Sequence, residues 1–291
     1  MPHTTPFRAA ALAIFAMVCL SINDAIMKHV GIDFPVGQKM FVRGIFATII
    51  LILAFKAFKS LPDVRHYKSP ASILRGVFEV LATFCFLSAL NILPFAVAVT
   101  LAFSAPTLTT VLAATVLREK VGIWRWSAIL IGFCGVYVMS QPGADIAFYG
   151  VGIAMAAAVF IAGRDLSQRF VADDCPVEAI ALATAVVVTI AGAFSWFWES
   201  WNPVTMTMLG WLALNAIFMC SSYYFYAKAI SIADLSFVSP FAYVSIIVSA
   251  LLGYFFWQEI PPGIAFLGAG LIIFSGLVIL WREKVVQDRD R

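Results

Sequence analysis

The sequence predicts an all-α integral membrane protein: ten transmembrane helices, arranged as two five-helix repeats of inverted topology around a central cavity. Three observations predict it. Of the 291 residues, 62% are hydrophobic and 12% are charged, where an ordinary soluble domain has about 45–50% and about 25%. The apolar residues gather into segments of roughly the 20 residues that one bilayer crossing needs. The chain also matches itself when shifted by 141 residues.

Composition removes several classes at once. Half the usual charge cannot cover the surface of a water-soluble globule, and the mean hydropathy is +0.95. A soluble enzyme, a disordered chain and a nucleic-acid binder are excluded on this ground. A net charge of +3 is too small to attract a polyanion. Cys19, Cys85, Cys134 and Cys220 lie inside apolar runs and Cys175 in a polar connection, with no C-x-x-C and no metal-ligand spacing. No Gly-rich phosphate loop and no nucleophile motif is present. No enzyme activity, cofactor or metal is therefore expected. Arg8 precedes an apolar stretch that leads into Ser21-Ile22-Asn23-Asp24 without a small-x-small cleavage site. This segment is expected to stay as the first helix.

Charge-free runs set the spans. Residues 80–117 are uncharged for 38 positions, too long for one crossing, and Asn91-Ile92-Leu93-Pro94 divides them because Pro cannot continue a helix. The expected spans are 8–29, 36–58, 71–90, 94–117, 122–141, 147–170, 177–198, 206–231, 235–257 and 262–282. Residues 36–58 are the weakest, with Lys39 and Arg43 near one end. Orientation follows from positive charge. With the N-terminus inside, 16 of the 19 Lys and Arg lie at inner connections and ends, and only Lys28, Lys39 and Arg43 lie outside. Both termini are expected in the cytoplasm, with the chain in a bacterial-type inner membrane.

At the offset of 141, Asp24 falls on Asp165, Lys28 on Arg169, Pro35-Val36 on Pro176-Val177 and Gly135 on Gly276. Apolar coincidences are cheap in such a chain; matched Asp, Lys/Arg and Pro at one offset are not. The repeats are expected at 1–141 and 142–291. Five helices is an odd number, so the second copy enters the membrane from the opposite side. That symmetry is the architecture of many secondary transporters, which bind solute near the midplane between the halves.

The chain resembles the ten-helix drug/metabolite transporters of the EamA type. The resemblance rests on "LREKVGIWRWSAILIGFCGVYV" at the end of the first half and "WQEIPPGIAFLGAGLIIFSGLVIL" at the end of the second. Within the family it looks most like the YddG-type amino-acid and metabolite exporters. The resemblance implies a basket of spans 1–4 and 6–9 around a central cavity, with spans 5 and 10 at the periphery.

Ionisable residues inside spans are costly and are the first candidates for function. Asp24 and Lys28 are four apart on span 1 and can pair; with their copies Asp165 and Arg169 they read as gate latches, or as interfacial charges that reach water. Lys39 and Arg43 read as an electropositive outer vestibule for a solute carboxylate, or as partners of Asp24 or of lipid phosphate; Arg43 is the deeper. Arg75 and Glu79 form another four-apart pair, with Glu79 near the midplane as the deepest carboxylate. Spans 4 and 9 carry mid-span breakers, Ser104-Ala105-Pro106-Thr107 and Ser239-Pro240-Phe241, with Tyr243 just beyond. These are hinges, sites of exposed backbone acceptors, or packing kinks. Asn215, Tyr223 and Tyr224 on span 8 suit a cavity that holds a partly apolar solute. Trp196, Trp198 and Trp201 read as an interfacial belt.

The resulting expectation is a secondary transporter exporting amino acids and related small metabolites by alternating access, broad in substrate. A vitamin, nucleoside or purine carrier and a proton/solute antiporter are the alternatives within the class. A structural or flippase-like subunit is the alternative outside it. The expected partners are the solute and the lipid bilayer, a monomer being compatible with everything read. Asp24 and Asp165 lie near span ends where water keeps them ionised, and Glu79 has a cation one turn away. Transport is therefore expected not to be tightly proton-coupled. The topology has a direct test. In a variant retaining only Cys175, an impermeant thiol reagent should label inverted vesicles and spare intact cells. The reverse pattern removes the inverted arrangement.

Overall fold

The computed structural model describes residues 4–31, 33–57, 70–118, 122–140, 148–168, 170, 177–233, 235–260 and 262–287. The chain runs through α1 (Thr4–Val30), α2 (Val36–Ala57), α3 (Pro70–Ile92), α4 (Phe95–Ala102), α5 (Ala105–Val116), α6 (Ile123–Ser140), α7 (Phe148–Gln168), α8 (Val177–Phe194), α9 (Met206–Ile232), α10 (Leu235–Val238), α11 (Val244–Trp257) and α12 (Gly263–Gln287). Among the described residues, nine helical stretches are long and apolar enough for a full crossing, and Trp126–Met139 is a shorter apolar tenth. Helix is the expected answer in hydrocarbon, where each backbone N–H and C=O must be satisfied within its own segment. The boundary expected at 141–142, Cys175 and Arg169 lie outside the described residues.

Twelve helices make ten crossings because two spans are broken. Pro94, at φ −52° and ψ 141°, separates α3 from α4. Span 4 is α4 and α5, interrupted at Phe103–Ser104, with Pro106 in the first turn of α5. Span 9 is α10, a 3-10 turn Ser239–Tyr243 that carries Pro240, and α11. Each proline lacks the N–H that a continuous helix would use. Side-chain hydroxyls add bonds at this break: Ser104 Oγ donates to Leu101 O at 2.6 Å and Thr110 Oγ1 to Pro106 O at 3.1 Å. Ten crossings put both ends of the described chain at one face, the terminal face; the other is the distal face.

The repeat shows in which helices meet. α1 packs on α9, α3 on α7, α2 on α8, α4 on α11 and α6 on α12. In spans these are 1 with 8, 3 with 6, 2 with 7, 4 with 9 and 5 with 10. An operation exchanging span n with span n+5 turns the first pair into the second and leaves the other three unchanged. Every span thus has its main partner in the other half.

Small residues make these contacts close, as packing rather than water-driven burial holds membrane helices together. A Cβ on Gly135 of α6 would stand 2.9 Å from Gly268 O of α12, and the reverse distance is also 2.9 Å. Between α2 and α8, a Cβ on Gly192 would stand 2.6 Å from Phe41 N. Ser275 Oγ donates to Ala128 O at 2.6 Å across the α6–α12 contact. Large apolar side chains such as Leu53, Leu130, Phe255 and Phe266 face outward as a lipid surface.

These contacts predict a contrast. Gly192→Ala should lower stability by about 2 kcal/mol, because the new methyl meets backbone that cannot yield. Gly210→Ala, with nothing within 4 Å of the added atom, should be neutral or raise stability by up to about 1 kcal/mol. Thermal unfolding of both variants in detergent reads the difference; equal melting temperatures would disprove the close α2–α8 contact.

Candidate functional site

Between the halves lies a cavity of two joined lobes, of about 480 Å3 and about 350 Å3. Both lobes touch Arg43 of α2, Glu79 and Thr83 of α3, Arg164 and Asp165 of α7, and Met219, Tyr223 and Tyr226 of α9. The larger lobe adds Asn23 and Asp24 of α1, Phe86, Phe103, Pro106 and Ser245. The smaller reaches toward the terminal face past Arg75, Gln168, Thr184 and the small residues Ala47, Ala181 and Ala185. No residue of α6 or α12 lines either lobe, so spans 5 and 10 stand outside the basket.

Toward the distal face the ends of α1, α3 and α11 meet in a polar knot. Gln258 takes a left-handed conformation, φ 53°, after α11 and turns the chain back on itself. Glu259 then bonds back to the helix, its N–H donating to Gly253 O at 3.1 Å. Its carboxylate accepts the first amide of α4, Phe95 N, at 2.6 Å and meets Lys28 Nζ at 2.9 Å. Lys28 also donates to Leu93 O at 2.6 Å and stands over the Trp257 ring. An N-terminal helix amide and a free carbonyl at the end of α3 are groups that would otherwise lack partners. Beside the knot, Lys39 Nζ donates to Asn91 Oδ1 at 3.1 Å, Gly37 N to Glu199 Oε2 at 2.9 Å and Gln38 Nε2 to Asn202 O at 2.6 Å.

Several expectations change. Asp24 and Lys28 do not pair. Lys28 lies one turn nearer the distal face and is taken by Glu259, while Asp24 faces the cavity and accepts from Asn23 Nδ2 at 2.8 Å. Lys39 and Arg43 do not share a vestibule, for Lys39 is 0% exposed beside the distal knot and only Arg43 reaches the cavity. Asp24 is not kept wet by its place near a span end. It is 9% exposed, against 8% for Glu79, so Glu79 is not the only deep carboxylate. The side chain of Asp165 remains 44% exposed.

Glu79 is ion-paired on two sides. Arg75 lies 4.0 Å from it, as the spacing predicted, but the nearer partner is Arg164 of α7 at 3.3 Å. Arg164 also holds Asp165 at 2.8 Å, and Arg75 donates to Thr184 Oγ1 at 2.9 Å. Arg43 differs from both: among the described residues it has no ion pair and no hydrogen bond.

The remaining candidates divide. Tyr223 and Pro106 line the cavity. Tyr224 does not; it is 56% exposed on the outer face of α9, since adjacent helical positions point about 100° apart. Ser104 is spent on its own helix. Asn215 is buried behind the cavity, donating to Asn23 O at 2.7 Å. The hydroxyls of Ser239 and Tyr243 are buried without a partner. The Tyr243 ring packs 5.6 Å from Phe103, so the breaks in spans 4 and 9 touch.

Sequence reasoning missed Asn23, Thr83, Arg164, Met219 and Glu259. The repeat held a signal for two of them: at the offset of 141, Asn23-Asp24 falls on Arg164-Asp165. Glu259 lay in the quoted family motif but carried no assigned role. Among the described residues, no three His, Cys, Asp or Glu side chains gather as metal ligands.

Known proteins bear on this arrangement. The chain is 27% identical over 276 residues to an S-adenosylmethionine uptake transporter of Rickettsia prowazekii (strain Madrid E), covering 93% of this chain and 92% of that one. It is 24% identical over 284 residues to the pseudopaline exporter CntI of Pseudomonas aeruginosa, covering 94% and 95%. One crystal structure shares the fold at a TM-score of 0.60 and 19% identity, over 92% of this chain and 95% of that one. Residues 7–141 and 148–281 each match the EamA-like transporter family. Two matched halves, main contacts that all cross between them and a shared central cavity make the chain a multi-pass membrane transporter rather than an enzyme, and it belongs to the EamA-like transporter family.

Proposed function

We propose that this transporter carries amino acids and related carboxylate-bearing metabolites across the inner membrane by alternating access, with the terminal face in the cytoplasm. Arg43 carries the reading. It lines both lobes and lacks an ion pair, whereas Arg75 and Arg164 are engaged by Glu79 and Asp165. A guanidinium without a direct ion-pair partner leaves its donors unused in a low-dielectric site, and its planar fork fits a carboxylate in bidentate fashion. Apolar and aromatic walls with few polar anchors support breadth. A carboxylate-free vitamin, nucleoside or purine would leave Arg43 unpaired.

Uptake and export both appear among the relatives' names, so the fold does not set direction. In this reading net flux follows the solute gradient, which gives export when the cytoplasmic pool is the larger. No proton step is built in, and counterflow proceeds without a pH gradient.

The test is counterflow in proteoliposomes with L-phenylalanine, L-methionine, S-adenosylmethionine, riboflavin and a nucleoside. Amino-acid-bearing solutes should exchange, and Arg43→Gln should raise their KM by about tenfold or more, as loss of a charged hydrogen bond costs roughly 1.5–3 kcal/mol. Exchange of riboflavin or the nucleoside alone, or flux insensitive to Arg43→Gln, would overturn the reading.

Alternation requires the distal face to open, and we assign its gate to the Lys28–Glu259 knot. Opening must break that pair and release Phe95 N. Glu259→Gln removes one charge while keeping the shape. In a protein whose only cysteine replaces Thr83, this change should make labelling by an impermeant reagent several-fold faster from the distal side. An unchanged rate would show that the barrier lies elsewhere.

A further inference from the structure

Asp24 and Asp165 occupy equivalent positions in the two repeats, and both line the cavity. In each half the preceding residue bonds to the carboxylate. Arg164 Nε donates to Asp165 Oδ1 at 2.9 Å, and Asn23 Nδ2 donates to Asp24 Oδ1 at 2.8 Å. The geometry repeats, but the charge does not. Arg164 forms an ion pair with Asp165, while neutral Asn23 brings no charge to Asp24. Among the described residues Asp24 has no ion pair. Glu79, the other deep carboxylate, already has two cations.

The amide orientations follow from their partners. Turning Asn23 over would set its oxygen against the Asp24 carboxylate, and turning Asn215 over would set its oxygen against Asn23 O. Both amides therefore spend N–H groups inward and keep an oxygen to spare. Asn23 Oδ1 and Asn215 Oδ1 are buried with no donor. Asn23 and Asp24 line the larger lobe, and an ionised carboxylate has about four lone-pair sites, of which one is used. The unused capacity of the Asp24 carboxylate is acceptor capacity. Its complement is a cationic group with several N–H donors.

We propose that Asp24 and Asn23 form the subsite for a primary ammonium group of the transported solute, with Asn215 as a positioning residue that holds the α1 backbone at Asn23. The inference rests on the carboxylate reading of Arg43 and extends it to zwitterions. An ammonium brings three N–H donors and no acceptor, so it supplies Asp24 with both charge and hydrogen bonds. A trimethylammonium supplies charge alone, and a des-amino acid supplies neither. The site then selects primary amines by donor count as well as by sign. Arg43 and Asp24 lie on different helices of the same lobe, so a zwitterion spans them and leaves neither charge bare.

The experiment is competition in reconstituted proteoliposomes with L-phenylalanine as probe. N,N,N-trimethyl-L-phenylalanine and 3-phenylpropanoate should each compete about tenfold less well than unlabelled L-phenylalanine, the cost of about one charged hydrogen bond. Asn23→Ala should raise the KM for L-phenylalanine about tenfold while the maximal rate stays within about twofold. It should leave inhibition by 3-phenylpropanoate unchanged, because that compound never reaches the subsite. Asn215→Ala should act in the same direction and more weakly. If Asn23→Ala does not fold, the analogue series on the unaltered protein decides. Equal competition by the trimethyl compound, or an equal loss of 3-phenylpropanoate affinity in Asn23→Ala, overturns the ammonium subsite while leaving Arg43 as the carboxylate anchor. Indifference of all three compounds to Arg43→Gln removes the carboxylate reading itself.

Discussion

A charge buried in the membrane interior has no water to turn to, and the polar anatomy of this chain follows from that constraint. A lone buried ion costs several kcal/mol even after relaxation, so each one must be matched by protein, by cavity water or by cargo. Lys28, Glu259 and the backbone groups at Leu93 and Phe95 satisfy one another in the distal knot. Arg75, Glu79, Arg164 and Asp165 do so around the cavity. Of the charges that line the cavity, Arg43 and Asp24 are the two without an ion pair among the described residues. In the proposed reading these two are the charges that a solute meets.

The same constraint explains where the backbone is irregular. Breaks in spans 4 and 9 are tolerable because they lie beside the cavity and against each other. Phe103 and Tyr243 meet where both helices lose regular geometry. Nearby hydroxyls bond to backbone carbonyls in span 4, but among the described residues the Ser239 and Tyr243 hydroxyls in span 9 find no partner. The two halves share a plan but not its details. One half carries Pro106 in the first turn of a new α-helix, and the other carries Pro240 inside a 3-10 turn. The two faces therefore need not open by identical movements.

Asymmetry within the repeat also bears on chemistry. Asn23-Asp24 and Arg164-Asp165 are the same pair of positions with one substitution between them. That substitution turns an ion-paired carboxylate into an open one. Duplication supplies the frame, and a difference of one side chain supplies a direction to the site.

The membrane class, the ten crossings, the broken spans and the inverted repeat were all legible in the chain, because each depends on spacing along it. Crossings need runs of fixed length, breaks need proline, and a repeat shows as matches at one offset. Arg43, Glu79 and Tyr223 were also found, because charge or polarity inside an apolar run is conspicuous wherever it occurs. Partnership was not legible. The i to i+4 rule correctly placed Arg75 beside Glu79, but it also paired Asp24 with Lys28, whose true partner is 231 positions away. It could not see Arg164 approaching Glu79 from another helix. Local spacing says which side chains share a face of one helix; which helix that face meets is set by small residues such as Gly135, Gly192 and Gly268 at contacts between the halves. The tertiary structure decided which charges are satisfied and which remain open to a solute, because pairing in the membrane is a matter of distance in space and not along the chain.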